Sequence, residues 1–182
     1  MSPRSVVFLD RDGVINRPII RNGSPHPPAS VEDLEILPGV PEALLRLRSA
    51  GFLLVVVTNQ PDVARGTQSR EVVELIHAAL KVRLPLDEVR VCYHDDADAC
   101  DCRKPAPGML HAFAQPRRLD LTSAYMVGDR WRDIEAGQRA GCSCFFVDHG
   151  YSERQPKQPF VRVASLAEAA DWILGGLEGG RT

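Results

Sequence analysis

The chain has 182 residues, of which 44% are hydrophobic and 25% charged, and its formal net charge is −2. This length predicts one domain over residues 1–182, which is large enough to fold without the disulfides or structural metal ions that very small domains need. The absence of a basic stripe argues against a nucleic-acid partner. No apolar run approaches the ~20 residues of a membrane span, and the N-terminus is unlike a signal peptide. We expect a cytoplasmic monomer that acts on a small molecule, without a membrane or nucleic-acid partner.

Five short apolar runs predict the strands of a parallel sheet. They are rich in β-branched or aromatic residues and nearly continuous, as strands buried on both faces are. In chain order they cover residues 6–9, 53–57, 89–92, 125–127 and 144–147.

Helical patterns lie between these strands, over residues 41–50, 69–82, 130–140 and 165–174. The alternation predicts an α/β fold with a doubly wound, Rossmann-like parallel sheet. Residues 16–33 and 152–160 are rich in turn-forming or charged residues and are expected to be loops. The C-terminal Gly-Gly-Arg-Thr is expected to be frayed. Ligands of such sheets bind beyond the carboxyl ends of the strands, so functional residues should directly follow the apolar runs.

Two carboxylates follow the first strand. Asp10 and Asp12 project to the same side of an extended segment, and they repel each other unless a cation or a shared proton relieves them. Gly13 then permits a sharp turn. The pair suits a nucleophile with an acid/base partner beside a divalent metal ion. Taken alone, it is equally compatible with an ordinary acidic turn.

Polar groups also follow the second and fourth strands. Thr58 offers a hydroxyl donor for a phosphate oxygen, and Asn59 and Gln60 add amide donors. Asp129 and Asp133 lie one helical turn apart, so they share a face. Asp129 is a candidate Mg2+ ligand with Asp133 behind it. Each group has an ordinary structural explanation, but none of those explains why all of them follow strands at one rim.

Residues 92–102 form a loop with the spacing C-x-H-x5-C-x-C. Its four candidate metal ligands are Cys92, His94, Cys100 and Cys102. Four protein ligands suit a closed, tetrahedral, structural Zn2+ site without a position for a catalytic water. The alternative is a disordered acidic loop with incidental cysteines. One or both of the remaining thiols, Cys142 and Cys144, are expected to pack beside the last strand.

Two cations follow the last thiol of this loop directly. Arg103 presents a planar fork that binds two oxygens, and Lys104 presents a point charge for a phosphoryl group. A metal bound in the loop would fix where both side chains point. The loop therefore suggests a cationic clamp on an anionic substrate.

Together these motifs resemble those of the haloacid dehalogenase superfamily of phosphotransferases. The first motif starts at Asp10, the second is Thr58, the third is Lys104, and the fourth holds Asp129 and Asp133, in the superfamily's order. The resemblance implies an essentially capless sheet domain of haloacid dehalogenase type. It also implies a Mg2+-dependent phosphomonoester hydrolase.

The mechanism that the resemblance implies begins with attack of Asp10 on phosphorus to form an aspartyl-phosphate. Asp12 would protonate the leaving alkoxide and then activate water. Mg2+ would lie between Asp10, the backbone carbonyl of Asp12 and Asp129. Thr58 and Lys104 would stabilise the phosphoryl oxygens. Asn59, Gln60, Arg103 and Arg130 would contact the substrate.

The Cys/His loop is similar to that of two phosphatase families, which act on D-glycero-D-manno-heptose 1,7-bisphosphate and on histidinol phosphate. The segments 58–60, 104–109 and 125–129 favour the heptose family, with a phosphorylated sugar as substrate. The loop over residues 17–28 departs from that family's pattern, and histidinol phosphate remains the alternative substrate. A different class, a non-catalytic zinc-stabilised binding module, is opposed by the intact motif residues.

Overall fold

The computed structural model describes residues 5–179 and contains a six-stranded parallel sheet. The strands, in chain order, are β1 (Val6–Leu9), β2 (Ile19–Arg21), β3 (Ser24–His26), β4 (Leu53–Asn59), β5 (Glu88–Cys92), β6 (Tyr125–Gly128), β7 (Ser143–Val147) and β8 (Val161–Val163). The large sheet has the order β5-β4-β1-β6-β7-β8, and every neighbouring pair is parallel. The order steps outward from β1 in both directions, which confirms the predicted doubly wound sheet.

Helices cover both faces of this sheet. They are α1 (Val40–Ser49), α2 (Arg70–Arg83), α3 (Gly108–Ala114), α4 (Trp131–Ala140) and α5 (Leu166–Gly179). Buried side chains of α1, α2 and α5 belong to one apolar cluster, and those of α3 and α4 to the other. Within β1, Val7 and Leu9 join the first cluster whereas Val6 and Phe8 join the second. The strand is apolar throughout because both of its faces are buried.

The sequence-based prediction missed four of these elements, namely strands β2, β3 and β8 and helix α3. Residues 16–33, expected to be a loop, contain the antiparallel hairpin β2–β3. Its strands are only three residues long and include a proline, so their sequence is too short to show the alternation of apolar and polar residues that identifies a strand. Strand β8 is equally short and interrupted by Arg162. Helix α3 opens directly after Pro107 at Gly108, two residues that ordinarily indicate a turn.

The other predicted boundaries agree with the structure within a few residues. Ser69 caps α2, because its hydroxyl accepts a hydrogen bond from the backbone N–H of Val72 at 3.1 Å. Gly141 ends α4 in a left-handed conformation. The expected fraying of residues 179–182 lies almost wholly outside the described part of the chain. None of the helices between residues 5 and 179 combines the length and apolarity needed to span a bilayer.

Candidate active site

The carboxyl ends of β1, β4 and β6 meet in the middle of the sheet, because β1 pairs with both of the others. Asp10 and Asp12 leave the end of β1, and Thr58 lies near the end of β4. Lys104 comes from the loop after β5. These four side chains line one open cleft. Asp129, which follows β6, lies close enough to Asp10 to share a metal ion with it.

Lys104 lies at the centre of the cluster and is only 1% exposed. Its ammonium lies 2.6 Å from Asp10 Oδ1, from the Val57 carbonyl oxygen and from Asp133 Oδ1. All three N–H donors therefore have an acceptor. Burial alone would lower the pKa of Lys104, but the carboxylates of Asp10 and Asp133 raise it above its usual value. The lysine is thus a fixed positive charge against Asp10.

Asp10, Asp129 and Asp133 form a compact carboxylate cluster, in which one oxygen of each lies within 4.8 Å of the others. Both oxygens of Asp129 are buried without a hydrogen-bond partner. Burial, followed by the charges of Asp10 and Asp133, raises the pKa of Asp129 well above its usual value. Burial also raises the pKa of Asp10 to about 6, although Lys104 opposes the shift. Buried, unpartnered carboxylate oxygens fit a hard divalent cation such as Mg2+.

Gly13 brings the turn after Asp12 against this cluster. Its φ is 93°, in the left-handed region, and a Cβ at this position would overlap the Asp129 carboxylate. Only glycine therefore permits both the turn and the close approach to Asp129. The sequence predicted the turn but not the contact.

Asp12 is surrounded by hydrogen-bond donors. The Arg11 guanidinium binds both of its oxygens, with Nη2 at 2.9 Å from Oδ2 and Nε at 3.3 Å from Oδ1. Asn16 Nδ2 donates to Oδ1 at 2.9 Å, and Gln60 Nε2 donates to Oδ2 at 3.0 Å. Burial would raise the pKa of Asp12, but Arg11, Asn16 and Gln60 together lower it. The carboxyl group is therefore held ionised in the ligand-free protein.

The polar residues Thr58 and Asn59 at the end of β4, and Gln60 just after it, hydrogen-bond neighbouring groups of the site. Gln60 donates to Thr58 Oγ1 at 2.9 Å as well as to Asp12, so the hydroxyl proton of Thr58 stays available for a ligand. The Asn59 amide pairs with the backbone of Lys104, donating to its carbonyl oxygen at 2.9 Å and accepting from its N–H at 3.1 Å. Asn59 thereby fixes the loop that carries Lys104. All three residues line the cleft.

Four arginines, Arg65, Arg103, Arg130 and Arg132, line the outer wall of the cleft. Carboxylates of the protein itself bind each of them. Asp96 Oδ1 accepts from Arg103 Nε at 2.8 Å and lies 3.3 Å from Arg132 Nη1. Arg65 forms a bidentate pair with Asp95 at 2.6 and 2.8 Å. Asp96 is exposed and Asp95 partly exposed, and ion pairs with a solvent-exposed partner are weak, so an anionic ligand can compete for the guanidinium groups.

Arg130 is bound by Glu153, whose Oε2 lies 2.5 Å from Nη2. The backbone N–H of Arg130 donates to Asp133 Oδ2 at 3.0 Å, which caps the start of α4. Asp133 therefore ties Lys104 to the first turn of α4. The sequence placed Asp133 behind the metal ligands but did not reveal its pairing with Lys104.

The loop over residues 92–102 brings its four candidate ligands together. The sulfur atoms of Cys92, Cys100 and Cys102 lie 3.2 to 3.7 Å apart, and His94 Nδ1 lies 3.3 Å from Cys102 Sγ. A tetrahedral zinc site with Zn–S bonds of about 2.3 Å places its sulfur atoms roughly 3.8 Å apart. The ligand atoms therefore fit Zn2+ after a small expansion.

Cys142 and Cys144 lie outside both clusters and pack among the buried residues around α3 and α4, as expected. Burial raises the pKa of each thiol to about 12. They are inert thiols at neutral pH.

Comparisons with known proteins agree with this geometry. Residues 101–169 match a protein-family model described as HAD-hydrolase-like. The D-glycero-D-manno-heptose-1,7-bisphosphate 7-phosphatase of Thermosynechococcus vestitus is 36% identical, over 94% of this chain and 96% of its own. The D-glycero-beta-D-manno-heptose-1,7-bisphosphate 7-phosphatase of Escherichia coli K12 is 33% identical, over 94% of this chain and 88% of its own.

A crystal structure of the D,D-heptose 1,7-bisphosphate phosphatase from B. bronchiseptica, complexed with magnesium and phosphate, has a TM-score of 0.81 with this structure. It is 31% identical and covers 94% of this chain and 99% of its own. The fold and the comparisons thus define an enzyme of the haloacid dehalogenase superfamily, a phosphatase. Within that superfamily, the chain belongs to the same family as these heptose bisphosphate phosphatases.

Proposed function

We propose that this phosphatase removes the 7-phosphate of D-glycero-D-manno-heptose 1,7-bisphosphate by way of an aspartyl-phosphate on Asp10. The observation that carries the proposal is the position of Asp10 at the floor of the cleft, between the Lys104 ammonium and the unpartnered carboxylate of Asp129. The names of the relatives, at 33 to 38% identity, support the choice of substrate.

In the first step, a carboxylate oxygen of Asp10 forms a bond to phosphorus while the bond between phosphorus and the sugar oxygen breaks. The departing alkoxide takes a proton from Asp12. Asp12 is ionised in the free protein, so it must gain that proton when the substrate binds. The negative charge of the incoming phosphate raises the pKa of Asp12 and favours this uptake.

In the second step, Asp12 removes a proton from water, and the resulting hydroxide attacks phosphorus and releases Asp10. Lys104 and the hydroxyl of Thr58 donate to the phosphoryl oxygens during both steps. Lys104 already lies 2.6 Å from Asp10, so its ammonium starts beside the attacking oxygen and exchanges one of its three acceptors for a phosphoryl oxygen.

Asp10, Asp129 and the backbone carbonyl of Asp12 are the groups proposed to hold Mg2+. When bound, this ion neutralises charge on the transferring phosphoryl group. Asp133 contributes indirectly, because it binds Lys104 and the start of α4.

The four thiol and imidazole ligands of residues 92–102 are proposed to hold a structural Zn2+. The loop continues without a spacer into Arg103 and Lys104. A metal ion that holds this loop in place would therefore also fix the backbone from which the Arg103 and Lys104 side chains project. Arg103 lies on the cleft wall and is suited to the second, non-reacting phosphate of a bisphosphate. Arg130, on the same wall, is suited to the sugar or its phosphate.

The nucleophile is tested with Asp10→Asn, which preserves size and removes the attacking oxygen's charge. We expect phosphate release to fall by at least ~10⁴-fold, because no other route to the intermediate remains. Circular dichroism should show an unchanged fold. Asp171→Asn, at an exposed carboxylate of α5, is the matched control and should keep full activity. Normal turnover by the Asp10 variant would refute the aspartyl-phosphate.

The substrate is tested by comparing kcat/KM for both anomers of the heptose bisphosphate with that for histidinol phosphate. We expect the bisphosphate to be preferred by more than about tenfold, since its second phosphate can bind the arginines of the cleft wall. The preference should shrink in Arg103→Gln. A higher kcat/KM for histidinol phosphate would overturn the assigned substrate and leave the mechanism intact.

A further inference from the structure

His77 lies on α2, far from Asp10 in sequence, and is 3% exposed. Its Nε2 atom lies 2.9 Å from Nη1 of Arg11, and both groups are buried. A guanidinium has donors only, so His77 Nε2 must be the acceptor of this hydrogen bond. The imidazole is therefore neutral, with its proton on Nδ1.

The surroundings of His77 favour this neutral form. Burial and, after it, the charge of Arg11 lower the pKa of His77 to about 4. The carboxylates of Glu74 on the same helix and of Asp12 oppose the shift without reversing it. The imidazole thus stays an acceptor throughout the neutral range.

Arg11 is completely buried and is divided between two partners. Its Nε and Nη2 atoms face the Asp12 carboxylate, whereas Nη1 faces His77. A planar guanidinium has a fixed angle between these donors, so an acceptor at Nη1 determines where the fork points. Without His77, Nη1 would lose this partner in a buried position, which favours rotation of the fork away from Asp12.

We propose that His77 is a positioning residue for Asp12, acting through Arg11: its acceptor nitrogen holds the guanidinium fork that orients the Asp12 carboxylate. This inference rests on the proposed role of Asp12 as acid and base. His77 is not among the residues that line the cleft, and its side-chain hydrogen bond goes to Arg11. Its effect should therefore appear in the chemical steps and not in substrate binding.

The test compares His77→Leu, which removes the acceptor, with His77→Gln, which restores one at a similar distance from the backbone. We expect the leucine variant to lose about tenfold in kcat, since small misplacements of a catalytic group are costly. Its KM and its Mg2+ activation constant should change less than about twofold. The glutamine variant should recover most of the lost kcat.

Ile76→Val provides a control for damage at the same depth of α2, because Ile76 is fully buried in the apolar cluster. It should lower Tm by about 2–4 °C while leaving kcat unchanged. In an Asp12→Asn background, His77→Leu should have no further effect on the residual rate, because the two residues act through one another. If the leucine variant does not fold, His77→Asn, whose amide is too short to reach Arg11, carries the same expectation.

Unchanged kcat in His77→Leu, alongside large losses of kcat in Asp10→Asn and Asp12→Asn, would overturn this inference and leave the proposed function standing. An equal loss in the leucine and glutamine variants would overturn it too, because the acceptor would then be irrelevant. Full activity of Asp10→Asn would instead refute the proposed function itself.

Discussion

The two candidate metal clusters of this enzyme are built in opposite ways. The thiol cluster draws Cys92 from the last residue of β5 and His94, Cys100 and Cys102 from the loop that follows, and three of these four residues are at least partly exposed. The carboxylate cluster draws Asp10 from the end of β1, Asp129 from the end of β6 and Asp133 from the first turn of α4, and all three are buried. The first cluster can form from a local segment. The second exists only after the sheet has assembled.

The clusters also differ in how their ligand atoms are used. The sulfur atoms contact one another at 3.2 to 3.7 Å, so the thiol cluster is closed around one point. The carboxylate oxygens of Asp129 have no partner, and the neighbouring cleft is open to ligands. A closed set suits a structural ion, whereas an open set suits an ion that also binds substrate. The comparison therefore distinguishes the thiol cluster, as the candidate structural site, from the carboxylate cluster, as the candidate reactive site.

The largest expected effect comes from breaking the carboxylate cluster. Asp129→Asn removes one charged ligand of the proposed Mg2+ site, and we expect kcat to fall by about a thousandfold because charge on the phosphoryl group is then poorly neutralised. The Mg2+ concentration for half-maximal activity should rise. Zinc content, measured by elemental analysis, should stay the same. If Asp129→Asn were as active as the wild type at low Mg2+, Asp129 would not be a ligand of the ion.

Breaking the thiol cluster should have a smaller effect. Cys102→Ser weakens zinc binding and loosens the loop before Arg103 and Lys104, and we expect kcat/KM to fall by about 10–100-fold. Unlike Asp129→Asn, it should lower both zinc content and Tm. Cys142→Ser, at a thiol outside the loop, is the control and should keep its zinc. If zinc-free protein regained full activity once Mg2+ was restored, zinc binding by the thiol cluster would have no role in catalysis.

The difference between the clusters also explains what the sequence revealed. The thiol cluster was readable from spacing alone, because its ligands lie within residues 92–102. The convergence of Asp10, Thr58, Lys104 and Asp129 followed from one rule, that the carboxyl ends of parallel strands share a rim. The fold followed from strands that are apolar on both faces. These predictions needed no knowledge of side-chain orientation.

The contacts around Asp12 could not be predicted in the same way. Arg11 lies between two aspartates on an extended segment, where alternation alone would point it away from both. His77 is one polar residue within an amphipathic helix, and it meets Arg11 across 66 residues of sequence. Pairs of this kind depend on the packing of α2 against the turn after β1. A single buried histidine in a helical pattern gives no sign of its partner.

The smallest expected effect is on the free energy of unfolding in Mg2+-free buffer, where the carboxylate cluster should lower stability as the pH rises. Burial raises the pKa of Asp10 to about 6 and raises the pKa of Asp129 well above its usual value, so the folded protein binds protons more tightly than the unfolded chain. The resulting stability is fully present below about pH 4 and is lost as the pH rises through about 6 and beyond. Asp129→Asn abolishes the part of this pH-dependent loss of stability that Asp129 causes. At about pH 8 the variant should therefore be more stable than the wild type.

Chemical denaturation at two pH values measures this difference. The advantage of Asp129→Asn should vanish near about pH 4, where Asp129 is protonated and resembles asparagine. It should also shrink when Mg2+ is added to the wild type at the higher pH, because bound ions stabilise the folded state. The zinc-loop variant Cys102→Ser should show the opposite sign, since it removes a ligand from a closed site. A destabilised Asp129→Asn at the higher pH would mean that the carboxylate cluster is a stabilising network, and the contrast between the two clusters would fail.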